Sequence, residues 1–191
     1  MLLIFSVALF FAAIAFFFFT FSAEEHTLSS RLKKNGAMIS GIDMFALEKN
    51  SKQDGAITGI LGESVVKIRM AENMDADAAK RYVESQLTLL RSIFEPNLPP
   101  YPEFLTKEAG CADEYAPREH ETPYGTYAVL YAGERFGFGV CVEDLIQYRA
   151  SIGFFYCPRS RTVFEVRYFI PKEKEEGDSE LARLNESFQC T

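Results

Sequence analysis

SIGFFYCPRSRTVFEVRYFI, residues 151–170, is the stretch that decides the architecture. Within it Phe164, Val166, Tyr168 and Ile170 alternate with Glu165 and Arg167. That is the two-residue period of a strand with one buried and one partly wet face. Ser151–Cys157 is rich in aromatic residues, and only Pro158-Arg159-Ser160-Arg161 separates the two runs. A connection that short joins antiparallel neighbours.

The same reasoning extends towards the N-terminus. Tyr124–Ala132 and Phe136–Val142 read as two more strands, joined by Gly133-Glu134-Arg135. The expectation is a four-stranded antiparallel meander. Gly137 and Gly139 share a face of the second strand and leave room for a neighbour's side chain. This GFG pattern is no phosphate loop, because no helix N-terminus follows it.

Asp75–Phe94 is the best helix. Asp75 can cap it, and Ala79, Tyr82, Val83, Leu87, Leu90, Ile93 and Phe94 form one stripe at helical spacing. Pro96 ends it. A hairpin of Ile39–Leu47 with Ala56–Leu61 and a short strand Ser64–Met70 come earlier. Glu95–Pro123 holds six of the eight prolines and reads as a long connection with a short helix from Pro102 to Ala109. Lys172–Glu180 reads as a solvated linker, before a terminal helix with Leu181, Leu184 and Phe188 on one face.

Leu2 to Phe21, LLIFSVALFFAAIAFFFFTF, carries no charge, and eight of the 18 Phe lie at or before Phe21. Twenty helical residues rise about 30 Å, the depth of a bilayer core. The reading preferred is an uncleaved anchor. The alternative is a signal peptide cut after Thr20-Phe21-Ser22, a poor site because bulky Phe16 to Phe19 precede it. The fold class expected is therefore α+β: a single transmembrane helix or signal peptide, then one domain with a four-stranded meander packed on a helix. Residues 1–22 are the anchor or signal peptide, 23–35 a tether and 36–191 an extracytoplasmic domain.

Two signals bear on orientation. Arg31, Lys33 and Lys34 follow the apolar stretch and no Lys or Arg precedes it, which alone would place the domain inside. Against this stand four cysteines, Cys111, Cys141, Cys157 and Cys190, an even number with no C-x-x-C pair. Such a set suits two disulfides in an oxidising compartment. Three pairings exist. The pairing expected is Cys141–Cys157, across neighbouring strands, with Cys111–Cys190 fastening the loop and the tail. Asn185-Glu186-Ser187 matches a glycosylation acceptor.

The formal net charge of −7 and the lack of a basic stripe disfavour nucleic acid as a partner. No hydrolase elbow or catalytic triad pattern is visible, so no catalytic residue, metal or cofactor is expected. The chemistry-bearing candidates are His120 with Asp113, Glu119 and Glu121 in an acidic loop, and Cys111 with His120 as a nucleophile pair if the thiol is reduced. Tyr127 and Tyr131 share a strand face that could bind a partner. The functional expectation is a membrane-tethered domain with a non-catalytic binding or accessory role. Its partners would be the bilayer, through residues 2–21, and another membrane or envelope protein. The alternative is a small extracytoplasmic enzyme with a Cys/His or acidic/His loop site.

Overall fold

The alternation in residues 151–170 builds the central hairpin. The computed structural model describes residues 27–48, 55–94, 117–139 and 143–191. Strand β7 (Tyr148–Cys157) and strand β8 (Thr162–Pro171) pair antiparallel from Tyr148↔Pro171 to Cys157↔Thr162. The turn closes with Arg161 N–H donating to the Pro158 carbonyl at 3.3 Å. Around this hairpin lie β2 (Ala46–Leu47), β3 (Ile57–Leu61), β4 (Ser64–Ala71), β5 (Arg118–Thr122) and β6 (Gly125–Ala132). Together they form a seven-stranded antiparallel sheet in the order β2-β3-β4-β8-β7-β6-β5. A separate two-residue ladder joins β1 (Ala37–Met38) to β9 (Gln189–Cys190). The domain is α+β, with antiparallel sheets and, among the described residues, three α-helices.

Both sheet faces are covered, so the partly wet face expected for β8 is covered over much of its length. On the first face Phe164, Val166, Tyr168 and Ile170 pack with Phe155, Tyr127, Val66 and Ile68. Helix α1 (Leu28–Lys34) and helix α3 (Gly177–Glu186) roof this face through Leu28, Leu32, Leu181 and Leu184. Gly59 permits the close seating of α1: a Cβ there would lie 2.8 Å from Leu28 Cδ2. On the second face helix α2 (Ala76–Phe94) sets Leu87 and Leu90 over Ala128, Leu130, Ile152 and Phe154. Asp75 caps α2 as expected, accepting the Ala78 N–H at 2.7 Å.

Several expectations change. The four-stranded meander exists, but its members are β5 to β8. Phe136–Val142 supplies no strand among the described residues. Glu134–Phe136 is a 3₁₀ turn, Phe136 takes a positive φ of 59°, and Phe138 makes a single bridge to Ala132. Without side chains at Gly137 and Gly139, extended pairing gains little, whereas Phe136 and Phe138 gain ring contacts with Phe169 at 4.5 and 5.5 Å. β6 therefore pairs directly with β7, and the fourth strand is β5, on the outer edge of β6; its residues are largely exposed and carry no apolar period. Its turn is stitched by Thr122 Oγ1, which accepts the Gly125 N–H at 3.1 Å.

The expected disulfides also change. Cys157 bonds to Cys190, with Cα atoms 5.4 Å apart, so neither Cys141–Cys157 nor Cys111–Cys190 forms. The β1–β9 ladder carries the tail to the end of β7, and Phe188 stacks on Phe155 at 4.3 Å. Cys111 and Cys141 lie outside the described residues, as does the short helix expected at 102–109. The early hairpin keeps only its Ala46↔Ile60 and Leu47↔Gly59 pairs, because Ile42–Met44 coils into a 3₁₀ turn that buries Ile42. Helix α1 falls within the stretch read as a tether, yet its Leu28 and Leu32 are fully buried. Helix α3 begins inside the segment read as linker. The glycosylation triplet is blocked in the folded state: Asn185 is 1% exposed, and its Nδ2 donates to Ser151 Oγ and to the Leu181 carbonyl, both at 2.7 Å.

Candidate functional site

The acidic/His candidates sit on β5, at the edge of the sheet. Strand alternation separates them. His120 lies on one side and stacks on the ring of its register partner Tyr127, centroids 4.9 Å apart and nearly parallel. Glu119 and Glu121 point to the other side. Glu119 is held by Arg91 of α2 through two bonds, Nε to Oε1 and Nη2 to Oε2, each 2.6 Å. This paired geometry is the strong form of the guanidinium–carboxylate contact. It holds the Glu119 carboxyl below its ordinary range, with the hydrogen bond the main cause, and raises Arg91 in turn. The contact ties the edge strand to α2. It leaves Glu119 engaged, and His120 cannot share one ion with its neighbours. Asp113 lies outside the described residues, as does Cys111. Among the described residues no group of three or more His, Cys, Asp or Glu is placed to hold a metal.

The tyrosine face divides as well. Tyr127 is 1% exposed, and its hydroxyl donates to Glu186 Oε1 at 3.2 Å. Burial, reinforced by the Glu186 charge and hydrogen bond, pushes its hydroxyl up to about 12. Tyr127 is thus a core residue that ties β6 to α3. Tyr131 is half-buried further along the strand.

One charged cluster escaped the sequence reading. The alternation predicts a partly wet face for Glu165, but the residue is only 4% exposed, and it pairs with Arg167. The Arg167 guanidinium lies 5.3 Å from the Phe138 ring centre, and Lys67 Nζ lies 5.1 Å from that of Phe136. Cation–ring contacts of this kind hold the 134–139 segment over the second face. Tyr82 of α2 completes the group. Burial raises its hydroxyl, and the Glu165 charge adds to the effect. The available signal was the opposite-charge pair two residues apart on one strand face, which the alternation rule puts side by side.

An open cavity of about 530 Å³ lies where β3 turns into β4 and β8 ends, rimmed by Glu63, Asp144, Tyr148 and Glu173. Among the described residues no helix is long and apolar enough to cross a membrane. The apolar stretch 2–21 lies outside them.

No family model matches the chain, and no curated protein matches it by sequence. A crystal structure of a protein from Bacteroides thetaiotaomicron VPI-5482 is similar over 82% of this chain, with 13% identity and a TM-score of 0.39. The match covers 48% of that protein, so this chain spans about half its length.

Proposed function

We propose that the chain is a membrane-tethered domain outside the cytoplasm, acting by binding a ligand or partner as an accessory of a membrane-associated complex. The observation that carries this reading is the Cys157–Cys190 bridge. Structural disulfides persist in oxidising compartments and are rare in the cytosol. An uncharged apolar stretch long enough to span a bilayer precedes the domain in the sequence. The engagement of Glu119 by Arg91 and of His120 by Tyr127 supports a binding role over acid–base chemistry at β5.

A C-terminal fusion to an enzyme that is active only outside the cytoplasm tests the topology. The expected outcome is membrane-bound activity. Activity from a cytoplasm-dependent reporter at the same position would overturn the reading.

A further inference from the structure

We draw no further inference here: the strongest candidate, the patch on the second sheet face beside the β3–β4 turn, where the exposed side chains of Ile60 and Leu145 adjoin the cavity rimmed by Glu63, Asp144 and Glu173, carries nothing, because nothing in the structure shows what covers it.

Discussion

Replacing both Cys157 and Cys190 by alanine removes the fastening of the tail, and the cost follows from the length of chain it closes. The two residues are 33 apart in sequence. A cross-link of that span removes about 12.5 cal/mol/K from the unfolded chain, or about 3.7 kcal/mol at 25 °C. Domains of this size are stable by only about 5–15 kcal/mol, so the loss is a large part of the whole. The tail keeps its other attachments in the variant. Phe188 remains 3% exposed between Phe155, Phe164 and Tyr124, and β9 still pairs with β1. The native contacts should therefore survive, and the effect should act through the unfolded state. Urea unfolding followed by circular dichroism measures it, with the oxidised parent as reference. The expected result is a lower midpoint with a slope equal to or slightly above the parent's, since the freed chain exposes more surface. A variant within about 1 kcal/mol of the parent would refute the loop-closure reasoning.

Three further outcomes follow from the packing and the charges. Phe188→Ala empties the slot between Phe155 and Phe164 and should cost about 3–5 kcal/mol by the same unfolding assay; a loss below about 1 kcal/mol would mean that the tail does not seal the first face. Tyr127 has its hydroxyl pushed up to about 12 by burial and Glu186, from an ordinary 10.0. Its contribution is complete below pH 10.0 and disappears as pH rises towards 12, so stability should fall across that window, and Tyr127→Phe should flatten the fall. Unfolding curves across an alkaline pH series, with phenolate absorbance, read both effects. Glu119 titrates below its ordinary 4.5, so the Arg91 contact stabilises above that pH and is lost as acid protonates the carboxyl. Because this pair is largely exposed, Glu119→Gln should cost less than about 1 kcal/mol at neutral pH, and the cost should shrink further in high salt.

The readable parts of the fold were those whose burial follows a period. Residues 162–170 alternate on a sheet whose first face is fully covered, and the pattern was plain. Asp75 and the stripe through Leu87 and Leu90 announced α2 and its N-terminal boundary. What could not be read was set by long-range packing. Arg118–Thr122 is an exposed edge strand held by backbone pairing to β6, and edge strands carry charge to prevent unwanted pairing. Phe136–Val142 has an apolar alternation that fits a strand. Ring contacts with Phe169, and left-handed backbone at Phe136 and Gly139, outweigh it. A strand there would set Cys141 beside Cys157, so the alternation predicts a bridge that the fold replaces with Cys157–Cys190.

The site residues show the same division. His120 and Glu119 were visible as residue types, but their separation across β5 and the reach of Arg91 from α2 needed the register. The burial of Glu165 needs cover over the second face, which an alternating strand alone does not imply.

The central claim is a disulfide-fastened domain that works outside the cytoplasm, and the redox state of its tail in living cells tests it most directly. Intact cells are quenched with a membrane-permeant alkylating agent, and the native protein is digested without reductant and mapped by mass spectrometry. The account predicts one linked peptide pair joining Cys157 to Cys190. Recovery of both cysteines as separate alkylated peptides would contradict it.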